Sequence, residues 1–260
     1  MTILDKIIAH KKQELSAIDK IITVGDLENS NLFNREIISL SEFLLDSSKT
    51  GIIAEFKRKS PSKGIINMGA SVEEVTSGYF REGASGISVL TDNQFFGGSS
   101  ADLSAAKENN LFPVLRKDFI IDEYQVIESK AIGADAILLI AAVLTKREIL
   151  NLSRLARSLK LEIVLEVHEL KELDAENQYI NIIGVNNRNL KTFEIDTDNS
   201  FELADKISSG YIKISESGIS SPQVINDLKI AGYNGFLIGE KFMTAPDPVK
   251  AFSEFVKFLM

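Results

Sequence analysis

Glu55 and Lys57 stand two positions apart at the end of an apolar run, Ile52-Ile53-Ala54, in a segment that reads I-A-E-F-K-R-K-S-P-S-K-G over residues 53–64. On an extended strand that spacing puts both ionisable groups on one face. Ionised side chains are seldom buried unless they are paired or put to use. The composition then turns to that of a loop at Ser60-Pro61-Ser62-Lys63-Gly64. A strand that carries charge inward only at its carboxyl end is how parallel-sheet enzymes assemble acid–base sites. The plainer reading is an inward ion pair that fixes a core, but such pairs add little net stability once desolvation is counted. Lys117 and Glu166, at equivalent depth on later strands, favour the functional reading. Arg58 and Lys59 read as well as ordinary solvated rim charge.

The other strand ends carry the same kind of group. The second predicted strand runs into Thr91-Asp92 and a loop with Phe95-Phe96-Gly97-Gly98-Ser99; the third ends in Arg116-Lys117-Asp118-Phe119. The fifth ends in Glu166, the sixth in Asn186-Asn187-Arg188, the seventh in Ser215-Glu216-Ser217-Gly218, and the eighth in Gly239 before Glu240. Carboxylates, lysines, an amide and an arginine on one rim suit acid–base work on an anionic substrate. Ser217-Gly218 and Gly239 let backbone approach a ligand, and a phosphate grip after the last two strands is frequent in parallel barrels. The same glycines also serve tight turns. Phe95, Phe96 and Phe119 fit an aromatic pocket or the core. His168 shares face parity with Glu166 but reads as a rim residue without a catalytic role.

These residues need a frame. Strands are predicted at 52–57, 86–90, 113–117, 136–140, 161–167, 182–186, 211–215 and 235–239. Helical patterns fall at 71–82, 101–109, 122–131, 145–159, 169–175, 197–208, 221–230 and 247–259. Gly83, Gly133 and Gly232 repeat one junction, a helix stop followed by a buried strand, and Asp198, Ser221 and Asp247 sit near helix starts. Eight similar units predict an α/β fold, a closed (β/α)8 TIM barrel, over an open doubly wound sheet. Residues 1–50 precede the barrel as a helical N-terminal extension of the single domain 1–260. In it Ile3, Leu4, Ile7, Ile8, Leu15 and Ile18 recur at helical spacing with Lys11 and Lys12 on the other side, and Phe43-Leu44-Leu45 mark a second short helix. Amphipathicity alone leaves open whether these helices close the bottom of the barrel or cover its substrate end.

Bulk composition removes several function classes. A net charge of −8 argues against nucleic acid and acidic membranes as partners, while small phosphorylated ligands stay open. The chain has no cysteine and two histidines, His10 and His168, which excludes thiolate chemistry and makes a multi-histidine metal site a poor fit. No apolar run reaches membrane-spanning length and no signal-peptide core leads the chain, so a cytoplasmic location is expected.

Taken together, the strand ends closely resemble the indole-3-glycerol-phosphate synthase family of tryptophan biosynthesis. The matching pieces are I-A-E-F-K-R-K-S-P-S at 53–62, F-F-G-G-S at 95–99, L-R-K-D-F-I at 115–120 and G-A-D-A-I-L-L-I at 133–140. L-E-V-H at 165–168, I-G-V-N-N-R-N-L at 183–190, S-E-S-G-I at 215–219 and F-L-I-G at 236–239 complete all eight units in order. The resemblance implies a carboxy-lyase without metal or organic cofactor. Such an enzyme closes, decarboxylates and dehydrates 1-(2-carboxyphenylamino)-1-deoxyribulose 5-phosphate to indole-3-glycerol phosphate. It implies Lys117 as the acid for ring closure, Lys57 as partner of the substrate carboxylate and a candidate acid for loss of hydroxide, and Glu166 as general base. Glu55 and Glu216 would hold the lysines and substrate hydroxyls, with Asn186 as a hydrogen-bonding partner. Ser60, Arg188 and Ser217 would contact the phosphate or carboxylate end. Gly218, Gly239 and the backbone of Glu240 would face the phosphate. Glu240 departs from relatives with a small residue at that turn, so its side chain must turn away from the phosphate. Phe96, Phe119, Leu138 and Leu190 would wall the anthranilate ring. The partner expected is thus a phosphosugar bearing an anthranilate ring, taken by a monomer. Two rivals remain, a catalytically silent phosphosugar-binding barrel and a phosphoribosylanthranilate isomerase-like enzyme; the second needs a cysteine base that this chain lacks.

Overall fold

The computed structural model describes residues 2–18, 21–108, 110–189 and 194–259. Eight parallel strands close on themselves: β1 (Ile52–Phe56), β2 (Gly86–Leu90), β3 (Val114–Lys117), β4 (Ala136–Ile140), β5 (Glu162–Val167), β6 (Ile182–Asn186), β7 (Ile212–Glu216) and β8 (Gly235–Ile238). Each pairs with its neighbours in sequence, and β1 closes the ring on β8 with Ile52 opposite Phe236. The strands are buried on both faces, as a parallel sheet wrapped in helices requires, and so they read as continuous apolar runs. This is a (β/α)8 barrel, with strand bounds within a residue or two of the sequence expectation.

The extension comprises α1 (Ile3–Ile18), α2 (Val24–Glu28) and α3 (Leu40–Leu45). After β1 comes α4 (Val72–Arg81); after β2, the short α5 (Asn93–Phe96) and then α6 (Ser100–Lys107). The remaining helices are α7 (Glu123–Ala131), α8 (Lys146–Ser158), α9 (Asp198–Ala204), α10 (Pro222–Ile230), α11 (Glu240–Met243) and α12 (Pro248–Val256). The segment predicted as a helix at 169–175 is a 3-10 turn, Leu170–Ala175. The junction glycines have φ of 99°, 100° and 95° at Gly83, Gly133 and Gly232, the left-handed helix stop expected of them. Of the three expected caps, Asp247 accepts from Lys250 N, whereas Ser221 holds the cap position without a side-chain bond and Thr197 precedes Asp198 as the cap residue.

The extension does both jobs left open above. Leu40 and Leu44 of α3 enter the amino-terminal mouth beside Gly86 and Gly235, the first residues of β2 and β8. Glu162 at the start of β5 fixes them there, accepting from Ser39 Oγ at 2.7 Å and Ser41 N at 2.9 Å. At the carboxyl end Leu4 and Ile7 of α1 join the interior cluster of Ile53, Leu115, Leu138 and Leu237. One helix plugs the bottom and another roofs the top.

Candidate active site

Strand-end side chains and the roof of α1 enclose a cavity of about 500 Å³ at the carboxyl end of the barrel. Lys117, the last residue of β3, lines it. Its Nζ donates to Glu166 Oε2 of β5 at 2.8 Å and stands 3.3 Å from Glu216 Oε2 of β7. Burial opposes the charge on Lys117, but Glu166, Glu216 and Glu55 outweigh it and hold the ammonium well above the ordinary lysine range. Asn186, the last residue of β6, donates from Nδ2 to Glu166 Oε1 at 3.1 Å. Asn186 is itself aimed by the Arg188 amide, which donates to its Oδ1 at 2.9 Å.

The two carboxylates around Lys117 are not equivalent. Glu166 is buried, which would raise its pKa, but Lys117 and Asn186 satisfy both oxygens and hold it below the usual carboxylate range. Glu216 is 1% exposed, sits farther from the ammonium, and its Oε1 has no hydrogen-bond partner among the described residues. Burial, with Glu166 and Glu55 as like-charged neighbours, pushes its carboxyl up to about 7 against the pull of Lys117. Glu166 is therefore the more acidic member of the pair and Glu216 the more readily protonated one.

Glu55 of β1 is buried and accepts from Lys57 Nζ at 2.6 Å, so the Glu55–Lys57 pair forms inside the cavity. β1 ends at Phe56, one residue sooner than expected, and Lys57 reaches back to its partner from just beyond the strand. Two glycines make room for these glutamates. A Cβ at Gly184 of β6 would lie 2.5 Å from Glu216 Oε1, and one at Gly239 would lie 2.6 Å from Glu55 Oε1. Gly239 thus has a steric reason besides any approach of backbone to phosphate. Gly184 was not singled out in the sequence, though a lone glycine inside a strand signals close approach.

The walls divide by chemistry. Phe96, Phe119 and Leu138 line one side, with the two phenylalanine rings 6.1 Å apart. Leu190 lies outside the described residues. Ser60, Arg188, Ser217, Gly218, Gly239 and Glu240 line the opposite rim. Ser217 and Gly218 have φ of 69° and 76°, two successive left-handed residues directly after β7; for a serine that conformation is strained, and such strain gathers at functional sites. The Glu240 carboxylate reaches across the mouth to 3.5 Å from Arg188 and 3.7 Å from Lys63. Lys63 belongs to a small hairpin, Lys59–Ser60 against Gly64–Ile65, where a plain loop was expected. His168 keeps to the rim, its Nδ1 2.6 Å from the Asn186 carbonyl.

One residue lies where helical periodicity did not put it. Lys11, expected on the polar side of α1, is 5% exposed and meets Asp92 and Asp118, both at 3.1 Å. Nothing local signals this, because both partners come from strand ends far along the chain. Among the described residues no group of three or more His, Cys, Asp or Glu is arranged to hold a metal ion, and no helix is long and apolar enough to cross a membrane.

Known proteins match this chain at two levels. Solved structures share the fold at low identity: 3-hexulose-6-phosphate synthase from Salmonella typhimurium superposes with a TM-score of 0.62 at 16% identity, covering 80% of this chain and 98% of its own. Tryptophan synthase subunit alpha from Legionella pneumophila does so with a TM-score of 0.60 at 13% identity, covering 85% and 95%. Relatives in sequence are much nearer. The indole-3-glycerol phosphate synthase of Bacteroides thetaiotaomicron is 46% identical over 98% of both chains, and that of Polaromonas sp. JS666 is 40% identical over 97% of both. With the family's sequence model matching residues 4–255, this chain belongs to the indole-3-glycerol phosphate synthase family.

Proposed function

We infer that this chain converts 1-(2-carboxyphenylamino)-1-deoxyribulose 5-phosphate to indole-3-glycerol phosphate, carbon dioxide and water. The observation that carries the mechanism is a lysine ammonium held between two unlike carboxylates, beside an aromatic wall. The substrate folds so that the ring carbon bearing the carboxylate attacks the ribulose carbonyl. Phe96, Phe119 and Leu138 hold the ring, and Lys57 pairs with the carboxylate. The new bond draws electrons from the aniline nitrogen, and Lys117 protonates the carbonyl oxygen as negative charge grows on it. Loss of carbon dioxide returns the bond electrons to the ring and nitrogen. A lysine then protonates the departing hydroxyl, and Glu166 takes the proton from the neighbouring methylene to complete the indole. Two protons leave the lysines and one reaches Glu166, so each turnover draws one from solvent.

The rim of Ser60, Arg188, Ser217, Gly218, Gly239 and the Glu240 backbone receives the phosphate or carboxylate end. Asn186 and Glu216 hold the lysine and substrate hydroxyls in register, and Glu55 does the same for Lys57. One chain supplies every one of these groups, so the site is complete in a monomer. Residues 1–260 form one domain with 1–50 as its helical extension, and the enzyme works in the cytoplasm without cofactor, nucleic acid or membrane. The chain has no tryptophan, so indole fluorescence from product rises over a protein background without indole. Incubation with the carboxyphenylamino-ribulose phosphate should give that rise. Binding without fluorescence would favour the silent barrel instead.

A further inference from the structure

Lys11 is a buried cation that the reaction does not use. It sits in the third turn of α1, and its ammonium contacts Glu14 of the same helix at 2.8 Å in addition to Asp92 and Asp118. Burial disfavours its charge, but Asp118, Asp92 and Glu14 more than compensate and keep it protonated. Each aspartate already holds an active-site loop in place. Asp92, with no exposed surface, accepts from Phe95 N at 2.8 Å and so starts the short helix that presents Phe96. Asp118 follows Lys117 directly, accepts from Phe119 N at 2.8 Å and from Thr91 Oγ1 at 2.6 Å, and lies 3.2 Å from Arg116. Lys11 thus grips both loops at once.

We propose that Lys11 is a positioning residue whose ammonium latches the roof helix to the carboxyl ends of β2 and β3, where Phe96, Lys117 and Phe119 stand. This rests on the activity inferred above and adds to it a role for the extension. While the latch is closed, Ile3, Leu4 and Ile7 remain over the cavity and exclude water from the ring-closing step. The same contact fixes the backbone directly after Lys117. A latch of buried charges holds one register or opens; it does not slide, because an unpaired aspartate in that setting is costly.

The test uses the full chain with three changes: Lys11→Met, Lys11→Met with Asp92→Asn, and Lys11→Arg. The double variant removes the latch without stranding Asp92, and asparagine still caps the Phe95 amide. Steady-state turnover should show KM raised and kcat lowered, their ratio falling about tenfold or more in the double variant, with Lys11→Arg close to wild type. Hydrogen exchange should lose protection over residues 3–18 while the barrel strands stay protected. A purely structural lysine would lower Tm and leave KM and kcat of the folded protein alone; that result, or unchanged exchange in α1, overturns the proposal. A wild-type chain that makes no product refutes the activity instead, and the exchange arm still decides whether the latch exists.

Discussion

Gly184→Ala tests the site at a position that touches no substrate. The added methyl would lie 2.5 Å from Glu216 Oε1, 3.3 Å from Val164 Cγ1 and 3.4 Å from Ile214 Cγ1. Ordinary contact needs roughly 3.5 Å, so the carboxyl must retreat by about 1 Å. The two aliphatic neighbours are already tight, and the displacement falls on the glutamate. Overpacking of this kind costs about 1–3 kcal/mol, offset in part by about 0.4–1 kcal/mol from the stiffer unfolded chain. Tm should therefore drop by only a few degrees. Function should suffer more. Glu216 Oε2 stands 3.3 Å from Lys117 Nζ, and a shift of that size in a reacting constellation costs on the order of 100-fold in rate. The expected result is a large fall in kcat read by indole fluorescence, with inorganic phosphate still competing as in wild type, since the rim is untouched. A folded Gly184→Ala protein with kcat within about twofold of wild type would refute the idea that Glu216 must hold its place.

Three further outcomes follow from the same geometry. Lys117→Met should cut kcat by about 100-fold or more while the protein stays folded and still binds phosphate, because two facing carboxylates can share a proton once the ammonium is gone; near-normal turnover would remove Lys117 from the acid role. Glu166→Gln keeps the Asn186 contact as a hydrogen bond and removes the base, so kcat should fall by about 100- to 10,000-fold with little change in KM, measured by steady-state kinetics. Glu216 has a folded pKa raised from 4.5 to about 7, so its penalty is absent below 4.5, grows as pH rises, and is complete above 7. Glu216→Gln should then raise Tm at pH 8 by on the order of 5 °C, and much less at pH 4.5, in paired thermal melts; an equal shift at both pH values would contradict the linkage.

The barrel was legible because its information is local. Parallel strands buried on both faces read as apolar runs, and the stop glycines mark where each helix hands over to a strand. The candidate ring was legible for a related reason: Glu55, Lys117, Glu166, Asn186 and Glu216 stand at or next to the ends of apolar runs, and a closed barrel brings all such ends to one rim. What escaped is relational. Lys11 looks like any solvated lysine on a helical wheel, and its two aspartates become neighbours only when β2 and β3 pair. Gly184 and Gly239 look like strand and turn glycines until the glutamates that fill their space are in place. The placement of the extension escaped as well, since an apolar stripe does not say which mouth it closes, and here α1 and α3 close opposite ones.

Lys117 poses a problem for any acid role, because the carboxylates that keep it charged also make it a weak acid. The resolution lies in what it protonates. An alkoxide forming on the ribulose carbon is a far stronger base than any amine, so transfer from even a raised lysine runs downhill once the bond begins to form. Before that, the ammonium acts as a fixed charge aimed at the developing oxyanion, in a site where water is excluded by the roof. A lysine that lost its proton near pH 8 could neither donate nor stabilise the oxyanion above that pH, and would show it as an alkaline limb in the pH profile. Here Glu166, Glu216 and Glu55 set the ionisation well above the ordinary lysine range. The kcat profile should accordingly stay level on its alkaline side up to at least about pH 9.5, the range over which an unperturbed lysine with pKa near 10.4 would begin to lose its proton. Loss of kcat with a midpoint near 8 in wild type, moved upward by replacing Lys117 with arginine, would show the lysine titrating in the working range and would sink this account of how a carboxylate-bound ammonium delivers the first proton.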